Sequence, residues 1–218
     1  WLLFRSGLYN AQTVRPTQPP PWSAQMSHLQ LILKKRQVQI VLLLTLLEGG
    51  MAFGGMVFVP SVLMRDYQLN AATAGSIMLL YGLGGLGYTH FAKRWLQALG
   101  EAGLARLGGG LIALGLCVLL MGQHTSAAIV ACAITGMGLY MLHNVLQIQA
   151  TQMAPEDRST ALTLFASVLF LGQSLGVALL AWGLDAGLLH HHLAGIAVCI
   201  AWVGWWVARQ SPQPSVRT

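Results

Sequence analysis

The fold is decided by residues 38–60, which read VQIVLLLTLLEGGMAFGGMVFVP and contain one charged side chain, Glu48. A hydrocarbon core about 30 Å thick is crossed by a helix of about 20 predominantly apolar residues. Backbone groups in lipid must find their hydrogen-bond partners within the same segment, which favours a helix. The stretch therefore predicts a transmembrane helix that carries a carboxylate.

The composition points to the same class of protein. Hydrophobic residues make up 55% of the 218 residues and charged residues only 8%, against about 25% charged in ordinary soluble domains. The formal charge of +6 does not indicate nucleic-acid binding, because the basic residues fall in small groups between apolar runs and not on one solvated face. All three cysteines lie inside apolar stretches, which supports neither a disulfide framework nor a zinc site with paired cysteines.

Six apolar runs are long enough to cross a membrane, so we expect an all-α, polytopic protein with six transmembrane helices. The runs cover residues 38–60, 71–92, 104–122, 127–150, 161–184 and 193–208. Pro60, at the end of the first run, is the single proline within them. We assign residues 37–208 to this bundle.

The two ends of the chain differ from the bundle. Residues 1–36 include the proline-rich stretch RPTQPPPWSAQ and are expected to be a cytoplasmic linker, with WLLF at the start as the stub of a preceding helix. Residues 209–218 are expected to form a cytoplasmic tail. Because the chain starts with Trp1 and shows no signal-peptide pattern, we expect it to be a fragment.

Lysine and arginine residues fall almost entirely on one side of this topology. Loops on cytoplasmic sides are enriched in these residues, so both ends of the bundle are predicted to be cytoplasmic. Arg65 alone lies on the other side. The predicted cytoplasmic set is Arg5, Arg15, Lys34, Lys35, Arg36, Lys93, Arg94, Arg106, Arg158, Arg209 and Arg217.

Glycines recur at four-residue spacing in two of the predicted helices. Gly50 with Gly54 and Gly172 with Gly176 each form a GxxxG pair, a pattern that allows helix backbones to approach closely. Close structural packing is the first interpretation. A smooth surface on which helices slide or rock is the second.

Glu48 is the most informative residue. It lies ten residues after the start of its run, about 15 Å deep at ~1.5 Å per residue, near the middle of the bilayer. Intramembrane carboxylates are costly and mark ion or substrate pathways by default. Desolvation penalises the charged form, so a protonated form becomes accessible, as a proton-coupling group requires. The alternative is a protonated glutamate that only joins two helices.

A polar stripe runs along the fourth predicted helix. With Tyr140 at zero and about 100° per residue, Asn144 lies at about 40°, Gln147 at about −20°, Thr151 at about 20° and His143 at about −60°. A row of polar groups facing lipid would be costly, so we expect the stripe to line a pathway. His143 supplies a titratable group, and a histidine that merely bonds a neighbouring helix remains the alternative.

Three further polar sites carry weaker predictions. Gln173 on the fifth helix is a lesser pathway candidate beside the helix contact at Gly172 and Gly176. Asp157 is expected to begin a helix, because an acid there accepts hydrogen bonds from free amides. The three histidines at 190–192 diverge from one another, so a metal site there would need other ligands, and we predict none.

The stretch GLYMLHNVLQIQATQMAPEDRSTALTLFASVLFLGQSLG at 138–176 resembles the tenth and eleventh helices of major facilitator superfamily transporters, particularly the bacterial drug/proton antiporter-like branch. LLEGGMAFGGMVFVPSVLMRDYQLN at 46–70 is similar to the seventh helix of that branch. Members have twelve helices in two halves with the substrate path between them, so this chain looks like the second half. The resemblance implies proton-coupled export of small organic molecules or drugs by alternating access, in a bacterial inner membrane. It also implies a missing six-helix half, or a second copy, as partner.

This resemblance assigns roles to individual residues. Glu48 would bind the proton or a cationic substrate, while Tyr140, His143, Asn144, Gln147 and Gln173 would line the path. The stretch GYTHFAKRWLQALGEAG at 87–103 keeps Lys93 and Arg94 of a cytoplasmic gating signature but lacks its acid. Arg158 belongs to the next predicted cytoplasmic loop.

Other functions are less well supported by the sequence. A non-transporting or degenerate six-helix membrane protein is the main alternative. An intramembrane hydrolase needs a serine and a histidine that meet, whereas Ser76 and His143 lie toward opposite ends of their helices. No GxxxxGK[ST] loop for ATP is present, and we predict no cofactor.

Overall fold

A computed structural model describes residues 22–211, and helices account for almost all of them. No strand occurs within this range. Five segments are long and apolar enough to cross a membrane, which confirms the all-helical membrane class. The helices are α1 Trp22–Leu33, α2 Arg36–Glu48, α3 Gly54–Met56, α4 Val59–Arg65, α5 Ala71–Met121, α6 Thr125–Met153, α7 Arg158–Asp185 and α8 Leu189–Gln210.

The first crossing segment, Arg36–Arg65, is not a uniform α-helix. A π-helical turn, Gly49–Phe53, joins α2 to α3 directly after Glu48. A short break at 57–58 then precedes α4, whose first turn contains Pro60, a position at which the missing N–H of proline costs nothing. The segment therefore continues past Pro60 to Arg65, beyond the end that the sequence predicted.

The second and third predicted helices form one element of 51 residues, α5. Its backbone leaves the helical conformation at Gly100, where φ is 65°. Tyr81 and Leu116, on opposite sides of Gly100, line the same small cavity, so the two arms of α5 fold back along each other. Residues 93–99, expected in a loop, are helical instead, because KRWLQAL contains good helix formers and neither glycine nor proline.

Glycines set the closest helix contacts in the bundle. An added Cβ on Gly176 would overlap the carbonyl oxygen of Gly50, and one on Gly54 would lie 3.2 Å from Cα of Gly176. The two GxxxG pairs therefore face each other across the contact between the first crossing segment and α7. This confirms the packing role predicted for them.

The predicted linker contains a helix, α1, which is tied to the loop between α6 and α7. His28 Nε2 lies 3.2 Å from Asp157 Oδ2, and Lys35 forms an ion pair with Glu156. Asp157 also caps α7 by accepting a hydrogen bond of 3.0 Å from the Thr160 amide. This cap confirms the predicted helix start.

The pKa of the Asp157 carboxyl is held below its usual value, chiefly because the Thr160 hydroxyl and amide donate to it. The pKa of Glu156 is also lowered, chiefly by the hydrogen bond from Lys35. Both groups lie in the loop at 154–157, outside the crossing segments. The loops at 34–35 and 154–157 lie at one end of the bundle. We call it the basic end, because lysine and arginine residues of the predicted cytoplasmic set lie there.

At the opposite end, the loop after α4 contacts the start of α8. His190 Nε2 lies 2.8 Å from Asp66 Oδ2. The Tyr67 hydroxyl donates a hydrogen bond of 2.7 Å to the Leu119 carbonyl. The loops at 66–70 and 186–188 thus lie at the same end, as the alternating topology requires.

Candidate functional site

Glu48 is fully buried inside the bundle. Its side chain has 0% exposure, so it does not face the surface that lipid would cover. Oε2 of Glu48 lies 3.1 Å from Nδ1 of His143, on α6. A buried carboxylate is stable only when it is neutral or well paired, and His143 supplies that partner from a separate helix.

Two aromatic rings hold the imidazole of His143 in place. The Phe53 ring meets it edge-on with centroids 5.3 Å apart, and the Phe165 ring of α7 lies 5.6 Å away. The His143 side chain keeps 26% of its surface exposed. His143 therefore connects the buried carboxylate to the outside of the bundle.

The contact between Glu48 and His143 can form with the joining proton on either partner. When Glu48 is ionised, Nδ1 of His143 must carry the hydrogen that joins them; when Glu48 is protonated, Nδ1 can accept its hydrogen. Either direction preserves the contact of 3.1 Å. The pair can therefore take up and release a proton without losing its geometry.

Glu48 retains one oxygen without a hydrogen-bond partner among residues 22–211. This atom, Oε1, is buried. The Thr45 hydroxyl, on the same face, donates its hydrogen to the Val41 carbonyl at 2.8 Å. A buried oxygen without a hydrogen bond carries a desolvation cost that nothing in the described residues offsets.

A cleft of about 560 Å³ opens beside His143. Tyr140 forms one of its sides with 42% of its surface exposed, and its ring packs on Gly85, where an added Cβ would overlap it. The walls are mostly aromatic and aliphatic side chains. The lining residues are Phe53, Met56, Met78, Leu79, Tyr81, Gly82, Leu139, Tyr140 and His143.

Sequence reasoning missed the aromatic residues around the pair. Phe53 follows Glu48 by five residues, which an ordinary helical wheel places about 140° away from it. The π-helical turn pairs residues five apart, so it brings Phe53 to the Glu48 side, where its ring packs on His143. The glycine-rich flanks of Glu48 were the only sequence signal for this irregularity. Tyr81 and Phe165 gave none.

Not all predicted site residues meet at the cleft. Tyr140 and His143 do, while Asn144 is half-buried and Gln147 exposed further along α6 toward the basic end. Gln173 is half-buried on α7, where its backbone nitrogen lies against Gly49.

The predicted gating and loop residues lie away from the cleft. Lys93, Arg94 and Arg158 are all exposed, and none lines it. Lys93 and Arg94 belong to a helical part of α5, while Arg158 is the first residue of α7.

The three histidines at 190–192 make separate contacts. His190 pairs with Asp66, His191 is exposed, and His192 packs against Gly183 and the Trp182 ring. In the part of the chain that the structure describes, no group of three or more His, Cys, Asp or Glu side chains could hold a metal.

A family model described as Major Facilitator Superfamily matches residues 7–177, well over half of the chain. No curated protein matches the sequence.

Proposed function

The chain belongs to the Major Facilitator Superfamily, whose members are membrane transporters and not enzymes, and we propose that it is the second half of a secondary transporter that exports small organic molecules in exchange for protons. The observation that carries this proposal is the contact of 3.1 Å between buried Glu48 and His143. Intramembrane ionisable groups of this kind serve proton relays.

We propose six crossings for this half. An unbroken helix of 51 residues would be about 77 Å long at ~1.5 Å per residue, more than twice the hydrocarbon core. Gly84 on the first arm of α5 packs against Ala133 of α6, and Gly108 on the second arm packs against Gly138 of the same helix. Two arms side by side account for two crossings, with Gly100 at the turn between them.

The proton step depends on access to the pair. Glu48 has no exposed surface, whereas His143 borders the cleft. A proton from water in the cleft would reach His143 first and pass to Glu48 through Nδ1. Bound substrate in the cleft would cover His143, so proton and substrate would compete for the same region, as exchange requires.

The chemistry of the cleft favours an apolar or aromatic substrate. Sugars require many hydrogen-bonding groups, but Tyr81, Tyr140 and His143 are the only polar side chains among the lining residues. Phe53 and the two methionines, Met56 and Met78, offer polarizable surfaces suited to flat or irregular apolar molecules. A cationic group on such a molecule would be attracted by ionised Glu48.

A complete path needs a second wall. We propose that the missing half, or a second copy, closes the cleft and that the two bundles rock about it in alternating access. The bacterial inner membrane with both ends cytoplasmic is the proposed setting. The proposal draws on the alternation of lysine and arginine residues along the chain.

Transport by the full-length protein in proteoliposomes tests the proposal. An imposed pH gradient should drive movement of a fluorescent aromatic cation in the wild type but not in the Glu48→Gln variant, which keeps the size and loses the titratable group. Glu101→Gln is the matched control, because this half-buried carboxylate lies beside the turn at Gly100. Gradient-driven transport that survives in Glu48→Gln would refute proton coupling through this site.

A further inference from the structure

A second cavity, of about 410 Å³, lies at the basic end between α2, α6 and α8. Apart from the buried Gln149, its polar lining residues are exposed and form the mouth, whereas Ile40 is half-buried and Val41 buried, so these two form an apolar floor. At ~1.5 Å per residue, Arg36 lies about 18 Å along the helix from Glu48, so this cavity is separate from the cleft beside His143. Its polar lining residues are Arg36, Gln37, Gln149, Gln152 and Gln210.

The cavity has a positive character. Arg36 is its single charged lining residue, and it forms no ion pair within residues 22–211. Arg36 also begins α2, and the preceding Lys35 provides no side-chain cap, so the first amides of the helix lack intrahelical acceptors. Free amides, the positive end of a helix dipole and a guanidinium together favour a phosphate.

Gln149 gives an independent indication of a ligand. It is 4% exposed, and its amide nitrogen donates to the Val207 carbonyl at 3.3 Å and to the Ser211 hydroxyl at 3.0 Å. Because the Val207 carbonyl can only accept, the Gln149 atom beside it must be the amide nitrogen and not the amide oxygen. Its oxygen, Oε1, is buried without a partner among the described residues. This acceptor suits a ligand that also carries a hydrogen-bond donor.

The neighbouring surface of α8 resembles a membrane-interface anchor. Trp202 and Trp205 are exposed, and the Arg209 guanidinium stacks 3.7 Å above the Trp205 ring centroid. Tryptophan is enriched at the level of lipid headgroups, and basic pockets between crossing helices bind anionic headgroups. A phosphate at the cavity mouth would thus stand at headgroup depth, above the apolar floor.

We propose that this cavity binds a phosphate ester that also carries a hydroxyl or ammonium donor. Arg36 and the α2 amides bind the phosphate, and Gln149 Oε1 accepts from the donor after a small side-chain shift. A phospholipid headgroup and a soluble phosphate ester share this chemistry. Phosphatidylglycerol supplies the hydroxyl, glycerol 3-phosphate is its soluble counterpart, and phosphatidylcholine lacks the donor.

Native mass spectrometry of the purified full chain in detergent tests the site. Phosphatidylglycerol should bind saturably, about tenfold more tightly than phosphatidylcholine. Arg36→Gln should weaken that binding about tenfold, as expected for loss of one charge-assisted contact. Lys34→Gln removes the same charge two residues earlier, outside the lining, and should have no effect. Gln152→Leu, an exposed lining change, should weaken binding several-fold even where Arg36→Gln fails to fold.

A parallel titration with glycerol 3-phosphate separates the two sources. Saturable binding that Arg36→Gln weakens, without lipid binding, would support the site and identify the ligand as a soluble ester. Equal losses in Arg36→Gln and Lys34→Gln would overturn the proposal. Absence of saturable binding by both ligands would overturn it as well, and equal affinity for phosphatidylcholine would overturn the role of Gln149.

Discussion

Oε2 of Glu48 lies 3.1 Å from Nδ1 of His143, a residue 95 positions later in the chain. The contact joins the first crossing segment to α6 in a place where the carboxylate has no exposed surface. One acid and one base, each able to hold the proton that links them, therefore meet inside the bundle. We therefore expect this contact to affect both the stability of the bundle and proton exchange at Glu48.

Glu48 and His143 should be energetically coupled. Unfolding free energies of Glu48→Gln, His143→Gln and the double variant, measured in detergent, should show a coupling of about 0.5–3 kcal/mol, the range for residues in direct contact. Thr45→Val combined with His143→Gln is the control, because the Thr45 hydroxyl bonds its own helix. That pair should be additive within about 0.5 kcal/mol. Additivity of the Glu48 cycle would contradict the contact.

The contact between the GxxxG pairs should not tolerate a methyl group. Gly176→Ala places a Cβ on the Gly50 carbonyl oxygen, and relief requires the helices to separate, at a cost of about 1–3 kcal/mol. Gly110→Ala is the matched control, because its Cβ would meet nothing within 4 Å. Thermal unfolding in detergent should show a lower Tm for Gly176→Ala alone. Similar Tm values for both variants would exclude this close packing.

Gly100 should be required for the turn between the two arms of α5. Its φ of 65° and ψ of 176° lie in a region that essentially only glycine adopts, and holding another residue there costs about 1–3 kcal/mol. Gly100→Ala should therefore lower the free energy of unfolding by about that amount. Gly87→Ala, in the helical part of α5 with no neighbour within 4 Å of the added Cβ, should not. A neutral Gly100→Ala variant would argue against the turn.

Acid should weaken the loop between α6 and α7. The pKa of Asp157 is lowered chiefly by Thr160, and that of Glu156 chiefly by Lys35. A carboxylate with a lowered folded pKa stabilises fully above its unfolded pKa, about 4, and this contribution is lost as the pH falls through the folded value. Below about pH 4 the wild-type Tm should fall.

A variant isolates the carboxylate from the helix cap. Asp157→Asn keeps an acceptor for the Thr160 amide but removes the charge that faces His28. Its Tm should depend less on pH than that of the wild type between about pH 5 and 3. Superimposable pH profiles would show that Asp157 contributes no pH-dependent stability.

The sequence alone predicted the features that depend on local chemistry and on the length of the apolar runs. Apolar length predicted the membrane class, GxxxG spacing predicted close helix packing at Gly50 and Gly176, and Asp157 was recognised as a helix start. Each depends on a residue type and its immediate neighbours. Membership of the superfamily, inferred from the resemblance at residues 138–176, was confirmed by the match over residues 7–177, whereas the second-half and drug/proton antiporter assignments stay predictions.

Features that depend on which helices touch were not predictable. A helical wheel placed His143 on the polar stripe but could not show that α6 faces Glu48. The π-helical turn at Gly49–Phe53 changes the rotation of all that follows it. The helical residues of α5 between its two apolar runs were not predicted, because hydropathy identifies segments that can lie in lipid but not helices outside it. The same reason applies to α1 in the linker.

Proton exchange at Glu48 is tested most directly by infrared difference spectroscopy of the purified protein during a pH titration. A C=O stretching band of a protonated carboxyl should appear as the pH falls, shift in His143→Gln and be absent in Glu48→Gln. Identical difference spectra for the wild type and Glu48→Gln would show that Glu48 does not titrate, and would exclude proton exchange at this residue.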